Sequence, residues 1–398
     1  MHTLKEQARE IPVTGKYDTV IVGGGFAGVS AALAAARGGN KVLLCERMYM
    51  LGGLGTAGLI TIYLPLCDGK GHQVSFGIAE ELLKLSISHG SELIYGKAWI
   101  EGGSMEEKCA GRYKVRYNAS LCAILMEQLL IGNGVEILYG TTVCDVAVSN
   151  QIITHLIVEN KSGRSAIAAG NVIDCSGDAD VCQFAGEETA LYAPGNGLAG
   201  WYYYSDKAGM HLFPVGVLDV PEGDSTDEMR ITQNHKYAGV EADEISKMVQ
   251  VSHKTTLNHF LERGELTEDH MLGSIATIPQ LRMTRRLCGV TTQDCIDRQR
   301  FGDSVGLFSD WRISGPVYEL PYSALYGKKI KNLAVAGRCI SVTDEMWDVA
   351  RVIPVCAVSG EAVGTAAAMN KNFSEVDITH LQEKLRKNGV KLHFEECL

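Results

Sequence analysis

The sequence lacks an excess of positive charge and lacks long apolar runs. Its 398 residues include 37 Lys and Arg against 47 Asp and Glu, which gives a formal net charge of −10. Nucleic-acid binding requires a basic surface that neutralises phosphates, so we expect no nucleic-acid partner. No apolar run approaches the roughly 20 residues needed to cross a bilayer, so we expect no membrane span.

Paired cysteines are also missing. The twelve cysteines include no C-x-x-C pair, which weighs against iron–sulfur clusters and redox disulfides. Neither an H-E-x-x-H motif nor an EF-hand pattern is present, so we expect no metal site. The polar opening stretch Met1–Lys16 does not resemble an apolar signal segment, and together with the unpaired cysteines it favours a cytoplasmic protein.

The clearest motif is a glycine turn between a strand and a helix. The apolar run Thr19–Val22 predicts a buried strand, and the alanine-rich residues 29–37 predict a helix. Between them, Gly23 can form the tight turn, Gly25 lets the backbone approach a diphosphate, and Gly28 allows close helix packing. The pattern predicts a dinucleotide site but does not by itself distinguish FAD from NAD.

An acidic residue and a second glycine cluster follow this unit. Glu46 ends the next predicted strand, eighteen residues after Gly28, where a carboxylate can bind ribose hydroxyls. Arg47 and the glycine-rich loop Gly52–Gly58 come directly afterwards, where an NAD domain would continue with a helix. A glycine-rich loop directly after the acidic residue therefore favours FAD over NAD as the cofactor.

At this point the chain resembles a known family. It is similar to the FAD-dependent oxidoreductases of the glutathione-reductase structural class, in particular the bacterial group with an AGRCIS segment, here Ala336–Ser341. The segment Val172–Asp178 resembles the family's ATGD strand end. Arg351–Pro354 and the helix after it resemble the terminal helix whose N-terminus points at the flavin.

The resemblance implies a set of cofactor contacts and two catalytic candidates. No histidine lies in the loop Gly52–Gly58, so we expect the FAD to be bound noncovalently. Arg338 and Arg351 are the candidates for catalytic contact with the flavin or a substrate anion. The expected cofactor contacts are Gly23, Gly25, Phe26, Ala27, Gly28, Glu46, Arg47, Gly52, Gly53, Thr56, Ala57, Gly58, Val143, Ser176, Gly177, Asp178, Gly337, Arg338 and Ile353.

The expected fold class is α/β. We predict a Rossmann-type FAD-binding domain with a parallel sheet, formed by residues 1–186 and 319–398, and an inserted α+β substrate domain over 187–318. The predicted strands Val135–Leu138, Thr141–Val148 and Ile152–Val158 suggest an antiparallel meander in the first domain.

The expected activity is hydride transfer, as dehydrogenation or reduction, on a small organic substrate. A flavin monooxygenase using NAD(P)H and O2, and an electron-transfer flavoprotein subunit, remain alternatives, and a homo-oligomer is left open. His72, His211, His253 and His259 could transfer protons, but no spacing ties them to the flavin. Tyr322 and Tyr202–Tyr204 either cover a flavin face or pack as ordinary core aromatics.

Overall fold

The computed structural model describes residue 4, residues 8–216 and residues 235–398. Two parts of the chain lie outside the described residues. They are most of the start of the opening stretch Met1–Lys16, and residues 217–234 of the predicted substrate domain. The helices are α1 (Phe26–Arg37), α2 (Ile78–Ser86), α3 (Lys97–Ile100), α4 (Met105–Ala110), α5 (Ala119–Gly132), α6 (Asp180–Ala185), α7 (Ala242–Glu262), α8 (Asp344–Ala350), α9 (Ile353–Ala367) and α10 (Ile378–Lys387).

The strands form one large sheet and several small ones. They are β1 (Val13–Val22), β2 (Val42–Cys45), β3 (Ile62–Tyr63), β4 (Val115–Arg116), β5 (Glu136–Leu138), β6 (Thr142–Ser149), β7 (Ile152–Asn160), β8 (Gly163–Asp174), β9 (Thr189–Leu191), β10 (Ala199–Asp206), β11 (Gly209–Gly216), β12 (Met271–Ile275), β13 (Arg285–Leu287), β14 (Ser304–Ser309), β15 (Val317–Pro321) and β16 (Leu333–Val335). No single helix in the described ranges is both long and apolar enough to cross a membrane, although the pair α8 and α9, bent by 92°, meets those criteria jointly.

The large sheet is mostly parallel, which confirms the predicted α/β class. Its order is β5-β2-β1-β8-β7-β6, with β16 pairing the end of β8. Strands β6, β7 and β8 form the antiparallel meander. The prediction that Val135–Leu138 joins this meander is wrong, because β5 pairs in parallel with β2 at the opposite edge. Helix α5 immediately before β5 provides the crossover that a parallel neighbour requires.

Four parallel strands end at the same level. In the register, Val22 of β1 lies beside Cys45 of β2 and Asp174 of β8, and Val335 of β16 also lies beside Asp174. The loops that follow these strands therefore meet at one edge of the sheet, where ligands bind in open α/β folds.

Helices α1 and α9 pack so closely at two glycines of α9 that no Cβ atom would fit there. A Cβ atom on Gly360 would lie 2.4 Å from the carbonyl oxygen of Ala27, and one on Gly364 would lie 2.3 Å from that of Ala31. The Ser30 hydroxyl also donates a hydrogen bond of 2.6 Å to the Ala357 carbonyl. The contact moves from Ala27 and Gly360 to Ala31 and Gly364, four residues along each helix in the same direction, so the helices run parallel and their N-termini lie at the same end.

A smaller antiparallel sheet lies in the predicted substrate domain. Strand β10 is central, between β11 and β12, and helix α7 contacts β10 and β11. Tyr202 and Tyr204 of β10 are buried in a cluster with Phe260, so they pack as core aromatics. The division into domains stays a prediction, and its boundary between 318 and 319 falls inside β15.

Helix α9 also carries a buried carboxyl group. Glu361 is 2% exposed, and its Oε2 accepts a hydrogen bond of 2.7 Å from the backbone N–H of Ile78 at the start of α2. Burial raises the pKa of Glu361 to about 8, although the bond from Ile78 acts in the opposite direction. A protonated carboxyl group is therefore favoured in the folded state near neutral pH.

We expect Gly360→Ala to destabilise the fold by roughly 1–3 kcal/mol, because its new Cβ forces α1 and α9 apart. The measurement is the free energy of unfolding in urea. Gly132→Ala is the matched control. Gly132 is also in a helix, and outside the neighbouring backbone of that helix no described atom lies within 4 Å of the added Cβ, so the substitution should be neutral or slightly stabilising. Equal destabilisation by both substitutions would contradict the close-packing account.

We expect Glu361→Gln to become more stable relative to the parent protein as the pH rises from 5 to 8. Over this range the unfolded Glu361, with a pKa of 4.5, releases its proton while the folded group retains it, so the stability of the parent falls. The slope of the difference is at most about 1.4 kcal/mol per pH unit. Urea unfolding at several pH values checks this, and a pH-independent difference would contradict it.

Candidate cofactor-binding site

A long cleft lies at the sheet edge where β1, β2, β8 and β16 end. It contains about 1290 Å³ of empty space, part of it open to solvent. The sequence-predicted residues that line it are Gly23, Gly25, Phe26, Ala27, Glu46, Arg47, Gly52, Gly53, Val143, Ser176, Gly177, Asp178, Gly337, Arg338, Arg351 and Ile353. Gly28, Thr56, Ala57 and Gly58 are not part of the lining.

The three glycines of the first turn have different surroundings. Gly23 has a φ of +100°, and a Cβ there would lie 2.4 Å from the Cys175 carbonyl oxygen. A Cβ on Gly28 would lie 1.9 Å from the Gly23 carbonyl oxygen, so Gly28 serves packing. Gly25 has ordinary dihedral angles, and apart from its own chain neighbours no described atom lies within 4 Å of its hypothetical Cβ. Only Gly25 leaves open space at the cleft that a ligand could fill.

The carboxylate of Glu46 is fixed by two backbone donors. Gly24 N–H donates to Oε2 at 2.6 Å, and Met48 N–H donates to Oε1 at 2.7 Å. Each oxygen keeps further acceptor capacity, since a carboxylate accepts about four hydrogen bonds. The expected ribose contact remains compatible with this geometry and stays a prediction.

The second glycine loop lies directly against the first. Gly52 N–H donates a hydrogen bond of 2.7 Å to the Gly24 carbonyl, and Gly25 and Gly52 form an isolated bridge. Gly52 and Gly53 both have positive φ, +100° and +54°, in a short 3-10 turn. Glycine is required here by conformation as well as by space.

The end of this loop supports a different part of the chain. Thr56 is buried, and its hydroxyl bonds the Leu51 carbonyl. The Ala57 carbonyl accepts a 2.8 Å bond from Thr277 N–H, and the Gly58 carbonyl accepts a 2.7 Å bond from Gln280 Nε2. These residues anchor residues 277–280, which the resemblance did not indicate.

Arg338 is held at the cleft by an ion pair. Its Nη2 lies 2.7 Å from Asp178 Oδ1, and its Nη1 donates to Thr284 Oγ1 at 2.9 Å. Gly177 has a φ of +85°, and a Cβ there would lie 2.8 Å from Arg338 Nε. The glycine thus leaves the guanidinium room to pair with Asp178.

Arg351 lies just before helix α9 and is oriented by Asp348. Its Nη2 lies 2.6 Å from Asp348 Oδ1, and the guanidinium faces the ring of Trp311 at 5.9 Å. Arg312 contacts the other Asp348 oxygen at 3.6 Å and pairs with Asp310 at 2.9 Å. Burial alone would raise the pKa of Asp310, but bonds from Arg312 hold the pKa below its usual value.

Two helix N-termini face the cleft. Phe26 and Ala27 of α1 and Ile353 and Cys356 of α9 belong to its lining. Among the described residues, neither helix has a side-chain hydrogen bond that caps its N-terminus. Both therefore present unpaired N–H groups and the positive end of a helix dipole, which favour anions.

Some lining residues were missed by the sequence reasoning. Ile278, Pro279 and Leu281 come from the predicted substrate domain, and no local motif marks them. Asp180 also lines the cleft, and it could have been found because it closely follows Ser176–Asp178. Burial, followed by repulsion from Asp178 and Asp174, raises the pKa of Asp180 to about 6.

The remaining candidates lie elsewhere. None of the four histidines lines the cleft, and His253 instead borders a second cavity. Tyr322 is buried and its hydroxyl donates to the Phe373 carbonyl, so it packs as a core residue.

Within the described ranges, no group of three or more His, Cys, Asp or Glu residues is placed to hold a metal ion. All twelve cysteines lie in these ranges and are unpaired.

A match to a family model indicates the cofactor. A family model described as FAD dependent oxidoreductase matches residues 18–200 and 203–385. The match indicates FAD, and the open space at Gly25, the uncapped helices and the anchored Glu46 fit it.

Individual relatives are distant. A thioredoxin reductase of Ureaplasma parvum serovar 3 is 28% identical over 120 residues, which span 30% of this chain and only 35% of that protein. A geranylgeranyl bacteriochlorophyll reductase-like protein of Thermoplasma acidophilum has 14% identity and a TM-score of 0.49, covering 94% of this chain and 83% of its own. The myxobacterial chondrochloren halogenase has 12% identity and a TM-score of 0.47, with coverages of 94% and 79%.

We expect Gly25→Ala to weaken FAD binding by about tenfold or more while leaving the stability of the FAD-free protein within about 0.5 kcal/mol. The added methyl group meets no described atom, so it obstructs only a ligand in the cleft. Equilibrium dialysis with FAD and urea unfolding provide the two readouts. Gly28→Ala is the contrasting control and should lose stability; unchanged FAD affinity in Gly25→Ala would contradict the assigned cradle.

Proposed function

The chain belongs to the family of FAD-dependent oxidoreductases, and on that premise we propose that it catalyses hydride transfer, as dehydrogenation or reduction, on a small organic molecule. We propose further that the FAD is held noncovalently. The observation that carries the proposal is the meeting of two uncapped helix N-termini and two arginines at one cleft.

The residues of the cleft divide into two groups by position. The turn Gly23–Gly28 and the N-terminus of α1 would hold the diphosphate, and Glu46 would bind the ribose. The second group consists of Arg338, Arg351 and the N-terminus of α9, which also line the cleft. Each arginine is paired with a carboxylate, so the positive polarity that would suit a ring gaining electrons comes from the uncapped end of α9.

Bound FAD supplies the two-electron redox chemistry, and the protein supplies binding and polarisation. Arg351 would stabilise negative charge that develops beside α9, and Asp348 fixes the direction of its guanidinium. Helix α9 adds a partial positive charge that needs no reorganisation during the reaction. Ile278, Pro279 and Leu281 would keep water from this part of the cleft.

The same proposal covers the cellular location of the protein and the molecule with which it reacts. The unpaired cysteines support a reducing cytoplasm as its location. A small-molecule substrate is the proposed partner. A monooxygenase would instead require NAD(P)H and O2 for turnover, and an electron-transfer subunit would require a protein partner for reduction.

The test is anaerobic reduction of the purified protein with a panel of small metabolites, followed by flavin absorbance in a stopped-flow instrument. We expect one compound class to bleach the flavin, and Arg351→Met to slow bleaching by roughly 10- to 100-fold with FAD still bound. Arg300→Met is the matched control, since Arg300 pairs only with exposed Glu395 among the described contacts.

Three results would contradict the proposal. Bleaching only by NAD(P)H, with substrate-dependent oxygen use, would identify a monooxygenase. Reduction only by a protein partner would identify an electron-transfer subunit. Flavin colour retained in an acid-precipitated pellet would show covalent attachment.

A further inference from the structure

Four side chains of alternating charge form a row that ends at the cofactor cleft. In order they are Asp310, Arg312, Asp348 and Arg351, and Arg351 lines the cleft. The first two lie just after β14, and the last two lie at the C-terminal end of α8. Neighbours in this charge row are joined at 2.9, 3.6 and 2.6 Å. The row therefore connects a loop of the predicted substrate domain with one of the two catalytic candidates.

The inner end of the charge row is firmly held. Asp310 is 1% exposed, and its Oδ1 accepts hydrogen bonds from the backbone N–H of Arg312 at 2.9 Å and from Arg312 Nε at 3.1 Å. Its Oδ2 accepts a bond from Arg312 Nη2 at 2.9 Å. A two-point pair of this kind fixes the plane of the guanidinium as well as its position. The remaining nitrogen, Nη1, is consequently held in the direction of Asp348.

The two carboxylate oxygens of Asp348 are divided between two arginines. Oδ1 accepts hydrogen bonds from Arg351 Nε at 3.1 Å and from Arg351 Nη2 at 2.6 Å, whereas Oδ2 lies 3.6 Å from Arg312 Nη1. Trp311 donates from its Nε1 to the backbone carbonyl of Asp348 at 3.1 Å. The loop after β14 therefore holds both the backbone and the carboxylate of Asp348.

The pair of Asp348 and Arg351 departs from the geometry that such pairs favour. A guanidinium and a carboxylate pair most strongly side-on, through two nitrogens and two oxygens. Arg351 instead makes both of its bonds to Asp348 through one oxygen. If Arg312 were removed, Oδ2 would become accessible to Arg351, and the guanidinium would turn to bind both oxygens. That turn would change the direction in which its charge faces the cleft.

We propose that Arg312 is a positioning residue for the reaction: by holding Asp348 Oδ2, it restricts Arg351 to Oδ1 and so sets the direction of the Arg351 guanidinium at the cleft. The inference rests on the proposed function, in which Arg351 stabilises negative charge that develops beside α9. It adds a residue that is not among those lining the cleft and that acts only through its neighbours.

The direct test is a pair of crystal structures, of Arg312→Met and of the matched control Arg300→Met. We expect Arg351 to contact both oxygens of Asp348 in Arg312→Met and to remain on Oδ1 alone in the control. An Arg351 guanidinium that keeps its original direction in Arg312→Met would overturn the proposal. This readout needs no bound flavin and no substrate.

Two measurements on the FAD-loaded protein test the same point in solution. In Arg312→Met, we expect flavin bleaching by the reducing compound to be roughly three- to tenfold slower. The equilibrium constant for two-electron reduction should fall by a similar factor, which lowers the midpoint potential of the flavin by about 15–30 mV. Added to Arg351→Met, the same substitution should change the bleaching rate by less than about twofold, because its effect passes through Arg351. An equal fold-change in both backgrounds would overturn the proposal.

A second variant guards against misfolding. Arg312→Met leaves the buried carboxylate of Asp310 without its cation, whereas Asp310→Asn combined with Arg312→Met removes both charges together. The combined variant replaces Arg312→Met in every measurement if urea unfolding shows that the single variant does not fold.

The positioning role and the proposed function fail separately. Protein that takes up no FAD, or FAD-loaded protein that no compound reduces, would overturn the proposed function and with it the role of Arg312. Slower bleaching in Arg351→Met, with the parent rate and potential kept in Arg312→Met, would overturn the positioning role alone.

Discussion

Helices α1 and α9 approach so closely that the carbonyl oxygens of Ala27 and Ala31 face Gly360 and Gly364 where no Cβ atom could fit. The two helices are more than three hundred residues apart in the chain, yet this contact makes them parallel neighbours. Their N-termini consequently reach the same cleft, one beside the glycine turn and the other beside Arg351. The charge distribution of the proposed FAD site follows from this packing.

Local patterns predicted the features that depend on neighbouring residues. The buried strand before Gly23, the alanine-rich helix after it and the carboxylate at Glu46 form one βαβ unit, so its sequence carries its geometry. The predicted meander places Val135–Leu138 at the wrong edge of the sheet, because so short a run does not reveal which strand it will pair with. The strand with which β5 pairs depends on where helix α5, which precedes β5, leads the chain.

Long-range contacts explain what the sequence did not reveal. Ala57 and Gly58 belong to the glycine-rich loop for which cofactor contact is predicted, and their carbonyls also accept bonds from Thr277 and Gln280, far away in the chain. Likewise, the pairing of Arg351 with Asp348 is local, whereas the pairing of Arg338 with Asp178 joins residues 160 positions apart. The resemblance indicated both arginines and Asp178, but it did not indicate that Asp178 and Asp348 orient the two arginines.

Hydrogen exchange of backbone amides, measured by mass spectrometry with and without FAD, tests whether the packing of α1 on α9 brings both helices to the cofactor. We expect peptides covering the first turns of α1 and α9 to gain protection together when FAD binds, since both uncapped N-termini face one ligand. Protection confined to α1, with exchange at the start of α9 unchanged, would contradict the claim that packing brings both helices to the cofactor.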